Sequence, residues 1–191
     1  MIPLNTPNLI TLSRIVTIPF IVGVFYFPDD LVSFTAKNIT ATAIFIFAAV
    51  TDWLDGYLAR KLNQMSAFGA FLDPVADKLF VVGALVILLF LGRVDPLVAL
   101  IIIGREIAIS ALREWMAQVG QAKSVAVAFI GKLKTVVQMV AIPMLLYSDF
   151  LFDLVDCQWL GTILINVAAV LTVASMLYYL RKALPYALNS R

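Results

Sequence analysis

Six apolar stretches of membrane-crossing length, at roughly 13–27, 37–60, 72–92, 96–116, 128–148 and 157–180, leave this chain few folds to choose from. Polar breaks fall between them. Pro28-Asp29-Asp30 ends the first stretch, Gly92-Arg93-Val94-Asp95-Pro96 forms a tight turn after the third, and Asp149, Asp153 and Asp156 mark the last break. With 62% hydrophobic and 14% charged residues, the chain is too apolar for an ordinary soluble domain. We therefore expect an all-α integral membrane protein of six transmembrane helices. It forms a single domain over residues 1–191, with no internal repeat or low-complexity tract. The first dozen residues carry two prolines and two asparagines and lack the basic, apolar and small-residue blocks of a signal peptide. They read as a short N-terminal interfacial segment.

Lysine and arginine give the orientation. With the N-terminus in the cytoplasm, Arg14, Arg60, Lys61, Lys78, Arg105, Arg113, Lys123, Lys132, Lys134, Arg181, Lys182 and Arg191 lie on or toward that side, and only Lys37 and Arg93 fall outside. Twelve against two is a clear positive-inside bias. Both termini and the polar site described next then face the cytoplasm.

That site spans the loop between the second and third stretches. Asp52 and Asp55 are three apart, and Asp73 and Asp77 are four apart. Each residue of a helix advances about 100°. Asp52, Asp55, Gly56 and Ala59 therefore share one narrow face, and Asp73 and Asp77 share another. A short connection makes the two helices neighbours, so the four carboxylates can converge. Four negative charges in one site must be protonated or neutralised by cations. Two divalent ions would balance them, and carboxylate oxygens suit Mg²⁺ or Mn²⁺. The chain has no histidine, which excludes Ser-His-Asp triads and imidazole metal ligands. Its one cysteine, Cys157, excludes an internal disulfide and a cysteine zinc site. No function attaches to Cys157 or Trp159.

The pattern D-x-x-D-G-x-x-A-R, eight residues, then G-x-x-x-D-x-x-x-D resembles the motif of the CDP-alcohol phosphotransferases. Asp52, Asp55, Gly56, Ala59, Arg60, Gly69, Asp73 and Asp77 fill every fixed position. The flanking residues, with G-R-E-I-A-I-S-A-L-R-E-W and I-G-K-L-K-T further on, are similar to the bacterial branch that acts on glycerol 3-phosphate. The resemblance implies a phosphatidyl transfer from CDP-diacylglycerol, in the bacterial cytoplasmic membrane, with CMP leaving. It implies metal ligation by Asp52, Asp55 and Asp73, with Asp77 as general base and a further ligand. It places the CDP donor on Asp55, Gly56, Ala59, Arg60 and Gly69. Family members commonly begin P-N-x-x-T-x-x-R, here Pro7, Asn8, Thr11 and Arg14, which adds Asn8 to the donor residues. The family also implies a homodimer among membrane lipid, with no nucleic-acid partner.

Small residues at Gly56 and Ala59 let a flat nucleotide approach the helix backbone, although close helix packing uses them too. Gly69 is expected to free the loop turning into the third helix, and Pro74 to sit in that helix's first turn. The positive end of that helix would then favour a diphosphate. A dianionic acceptor needs fixed cations near Asp77. Arg113 and Lys132 are the first candidates, and Arg105 and Lys134 the next; each could equally sit among lipid headgroups. Glu106 could pair with Arg105 or a neighbouring helix. Other acceptors (an inositol phosphate, serine or a second lipid) would keep the same motif, but a neutral amino-alcohol would not need several cations. A divalent-cation transporter would want the aspartates at the midplane and an inverted repeat. An intramembrane aspartyl protease would want two aspartates sharing a proton.

Overall fold

The computed structural model describes residues 6–62, 67–121 and 129–189, and within them the side chains of residues 11–51, 69, 71–121 and 129–188. The described residues form six helices: α1 Thr6–Val24, α2 Phe34–Leu62, α3 Ala67–Phe90, α4 Pro96–Gln118, α5 Phe129–Tyr147 and α6 Cys157–Asn189. Two short strands, β1 Phe150–Leu151 and β2 Val155–Asp156, pair antiparallel between α5 and α6.

By length and composition, three of these helices can cross a membrane: α2 through Phe34–Thr51, α5 and α6. The remaining long helices are apolar but carry charge. Asp73, Asp77 and Lys78 lie on α3, and Arg105, Glu106, Arg113 and Glu114 on α4. Intramembrane charges are costly and usually functional. The interruptions of apolarity thus mark the elements that build the site.

Helix α5 packs along α6, α4 against α6, and α1 against both α2 and α3. Two of these crossings depend on glycine. A Cβ at Gly83 would fall 2.5 Å from Ile18 Cγ2, and one at Gly161 would fall 2.8 Å from Leu145 Cγ. Without a side chain there, α1 seats on α3 and α6 on α5, as small residues allow in membranes. The larger core gathers Ile21, Phe45, Phe80, Leu85, Leu88, Ile102 and Ile142. The rings of Phe45 and Phe80 stack across α2 and α3 at 4.6 Å. A smaller cluster, Ile109, Met116, Tyr179 and Ala183, joins α4 to α6.

At one end of the bundle, Asp95 caps α4 by accepting from the Leu97 amide at 2.8 Å. Beside it Arg93 donates to the carbonyls of Leu145 and Leu146, at 3.0 and 2.7 Å, and to Asn38 Oδ1 at 2.9 Å. Arg93 therefore satisfies carbonyls at the end of α5, which otherwise lack partners. Lys37 is held by Asp29 and the Phe27 carbonyl, each at 2.5 Å. Both cations expected on the outer side are thus engaged in holding that end together.

From Thr6 to Val24 the chain is one helix, so the described part of the N-terminal segment leads directly into the first apolar stretch. Two local expectations are corrected. Helix α3 starts at Ala67, so Gly69 lies inside it rather than in a loop, and Pro74 is interior rather than in the first turn. The apolar run A-F-G-A-F-L carries the helix back by two turns. Pro74 then lacks the amide that would bond the Ala70 carbonyl. The helix N-terminus consequently lies six residues before Asp73 rather than at it.

Candidate functional site

Asp73 and Asp77 lie one turn apart on the exposed face of α3, and α1 supplies a partner to each. Thr11 Oγ1 donates to Asp73 Oδ1 at 2.6 Å, and Arg14 forms an ion pair with Asp77 Oδ1. Thr11 and Arg14 are three apart, the helical spacing that matches the four-residue spacing of the aspartates on the facing helix. Both are buried, at 4% exposure each. The α1–α3 crossing at Gly83 makes this registration possible.

Asp77 belongs to the walls of two cavities. The larger, of about 460 Å³, lies among α3, α4 and α5. Its charged lining is Asp77, Lys78, Arg105, Glu106, Arg113 and Lys134. Four cations against two carboxylates leave a formal surplus of two positive charges. The smaller cavity, of about 190 Å³, is lined by Arg14, Ala49, Phe80 and the shared Asp77, Val81, Thr135 and Met139. Ala49 lies on α2 one turn before Asp52, so this cavity adjoins the aspartate-bearing end of α2.

The cations of the larger cavity are held in place from behind. Glu106 Oε1 accepts from Lys134, with Arg105 at 3.4 Å. Arg105 also donates to Ser175 Oγ at 3.2 Å, and Arg113 to the Tyr179 hydroxyl at 3.2 Å. The Tyr179 ring lies under both guanidinia, at 5.8 and 5.2 Å, an arrangement that stabilises a desolvated cation. Gly131 leaves room for this, since a Cβ there would be 3.3 Å from the Tyr179 hydroxyl. Nε of Arg105 and of Arg113 is buried without a hydrogen-bond partner. Two positioned donors without partners suit an anionic ligand. Tyr179→Ala is expected to lower stability by about 3–5 kcal/mol, and Tyr179→Phe by about 1 kcal/mol, read as thermal unfolding in detergent. Equal losses would put the weight on the hydroxyl alone.

Of the expected acceptor cations, Arg105, Arg113 and Lys134 come together here. Lys132 does not line the cavity and is exposed. Two residues along a helix is about 200°, so only one of Lys132 and Lys134 can face inward, and Thr135, Gln138 and Met139 continue the face of Lys134. On the other wing, Asp52, Asp55, Gly56, Ala59 and Arg60 lie on α2 and Asn8 on α1, with their side chains outside the described residues. Among the described residues no three histidine, cysteine or acidic side chains converge. What α3 contributes fits hard divalent cations: carboxylate oxygens four residues apart on one face. Sequence reasoning had not assigned site roles to Lys78, Ser110, Thr135, Gln138, Ser175 or Tyr179. The helical spacing 134, 135, 138 beside the lysine could have flagged Gln138.

A model of the CDP-alcohol phosphatidyltransferase family matches residues 4–174. Proteins named CDP-diacylglycerol–glycerol-3-phosphate 3-phosphatidyltransferase from Escherichia coli (strain K12) and Shigella flexneri serotype 5b (strain 8401) are each 50% identical over 181 residues, 94% of this chain and 94% of theirs. The protein of that name from Salmonella choleraesuis (strain SC-B67) is 49% identical over the same share.

Proposed function

The chain belongs to the CDP-alcohol phosphatidyltransferase family, and from that membership we propose that it transfers the phosphatidyl group of CDP-diacylglycerol to glycerol 3-phosphate, giving phosphatidylglycerophosphate and CMP. Relatives of that name, 50% identical over 94% of both chains, support the assignment. The observation that carries it on the molecule is the cavity with Asp77 on one wall and Arg105, Arg113 and Lys134 on the others. A phosphorylated acceptor needs such cations, and a serine acceptor would not.

In this reading residues 1–191 form one catalytic membrane domain. Six helices cross the bacterial cytoplasmic membrane, with both termini and the site on the cytoplasmic side. The twelve-to-two distribution of lysine and arginine supports that orientation. The homodimer implied by the family belongs to the same reading and is measured as the mass of the protein in lipid nanodiscs.

The donor's nucleotide and diphosphate lie toward Asp55, Gly56, Ala59, Arg60, Gly69 and Asn8. Asp52, Asp55, Asp73 and Asp77 hold divalent metal, Mg²⁺ or Mn²⁺ and two ions by charge balance. When bound, the metal screens the diphosphate and stabilises the leaving phosphate oxygen. Arg105, Arg113 and Lys134 hold the acceptor's phosphate away from the metal ligands. An acceptor hydroxyl attacks the lipid-bearing phosphorus, the bond to the CMP phosphate breaks, and the hydroxyl proton passes to the Asp77 carboxylate. Arg14 holds that carboxylate between the two cavities.

The direct test is CMP release by purified protein from CDP-diacylglycerol, glycerol 3-phosphate and Mg²⁺. Serine or an inositol phosphate turned over in preference would replace the acceptor. Exhaustive chelation is expected to stop turnover, with recovery on adding Mg²⁺ or Mn²⁺, because the site offers oxygen donors and no histidine. Full turnover after chelation would remove the metal from the reading.

A further inference from the structure

The larger cavity holds a buried amide that neither the cation network nor the transfer chemistry uses. Gln138 is 2% exposed, lines the cavity, and its Oε1 is buried without a hydrogen-bond partner. A buried carbonyl oxygen left unpaired costs roughly 1–3 kcal/mol, so such a group calls for an explanation. Its position supplies one. Gln138 stands one turn beyond Lys134 on the same face of α5, about 6 Å further along the helix. Thr135 and Met139, its neighbours on that face, also line the smaller cavity with Asp77. The amide therefore shares one cavity wall with the phosphate-holding cations and the proposed base. The carboxylates of the cavity wall are committed, Glu106 to Lys134 and Arg105, and Asp77 to Arg14, so Gln138 Oε1 is the buried acceptor there left without a partner among the described residues.

A ligand spanning these points has a phosphate at one end and a reacting hydroxyl at the other. Beside both, the same wall offers a hydrogen-bond acceptor, which pairs with a donor. We infer that Gln138 accepts a hydrogen bond from the non-reacting hydroxyl of a polyol phosphate, making it a specificity-determining residue of the acceptor subsite. The inference rests on the transfer reaction proposed above. It adds that the cavity selects a vicinal hydroxyl and not only a phosphate. A site built to bond a hydroxyl discriminates strongly against the analogue lacking it, because its buried partner is then left unpaired.

The experiment compares two acceptors that differ by that one hydroxyl: glycerol 3-phosphate and 1,3-propanediol monophosphate. Both carry a phosphate and a primary hydroxyl at the same separation. CMP release is measured with each acceptor varied in turn, for the full chain in lipid nanodiscs. The wild-type protein is expected to favour glycerol 3-phosphate in kcat/KM by at least about tenfold. Gln138→Met is expected to bring that ratio close to one, mainly by weakening use of glycerol 3-phosphate. The ratio is taken within one preparation, so the folded fraction cancels. Gln138→Glu keeps an acceptor oxygen at the same place, beside Lys134, and is expected to retain the preference at reduced overall rate. A wild-type ratio near one, or a ratio unchanged in Gln138→Met, overturns the subsite while leaving the transfer reaction standing. Loss of the preference in Gln138→Glu as in Gln138→Met also overturns it, since the acceptor oxygen would then not be what reads the hydroxyl. Absence of wild-type turnover with either acceptor overturns the transfer reaction, and the subsite with it.

Discussion

Asp77→Asn is expected to lower turnover by about a thousandfold while CDP-diacylglycerol still binds. General-base catalysis contributes about 10²–10⁴ to a rate, and asparagine keeps the shape of the side chain but cannot take the proton. Position is the argument for proposing Asp77 rather than Asp73 as the base. Asp77 belongs to both cavities, whereas Asp73 lines neither and is held by the Thr11 hydroxyl. With no histidine in the chain, no imidazole can substitute. The substitution also takes a charged partner from Arg14, which is buried. Loss of that pair costs stability as well, so thermal unfolding is measured beside direct CDP-diacylglycerol binding and steady-state rates. Near-wild-type turnover would show that another group takes the proton. Donor binding lost together with turnover would place Asp77 on the donor side.

The second large effect belongs to the acceptor cations. Arg113→Gln and Lys134→Gln are each expected to raise the KM for glycerol 3-phosphate by about 10- to 150-fold, the equivalent of roughly 1.5–3 kcal/mol for a charge-assisted contact. The KM for CDP-diacylglycerol is expected to change much less, because the proposed donor site lies with the aspartates. Lys132→Gln serves as the internal control. It stands only two residues from Lys134 but is exposed and outside the cavity, so its kinetics should stay close to wild type. Lys134→Gln also leaves Glu106 with Arg105 alone, and its unfolding midpoint is recorded to separate that loss from the kinetic one. Equal damage to both substrate constants would mean that these cations serve the donor or the lipid headgroups.

Much of this protein follows from the order of its residues. The positions of six helices follow from runs of apolar residues long enough for a bilayer, interrupted by proline, glycine and aspartate. That information is local, since each helix satisfies its own backbone. The spacing of Asp73 and Asp77 placed them on one helix face for the same reason, and the pattern from Asp52 to Asp77 marked the family. Helix starts were less legible. Pro74 and Gly69 were read as boundary residues, yet α3 extends past both, because packing and a continuous apolar run outweigh single-residue preferences.

What tertiary structure alone decided is which side chains from different helices meet. Arg14 and Asp77 are 63 residues apart, Arg113 and Tyr179 are 66 apart, and Arg105 and Ser175 are 70 apart. No periodicity within one helix specifies such pairs. They depend on the rotation of each helix about its axis, which is set by close crossings such as Gly83 on Ile18 and Gly161 on Leu145. The same rotation separates Lys132 from Lys134, residues of equal charge and nearly equal position. It leaves one exposed and turns the other, with Gln138, into the cavity beside Asp77.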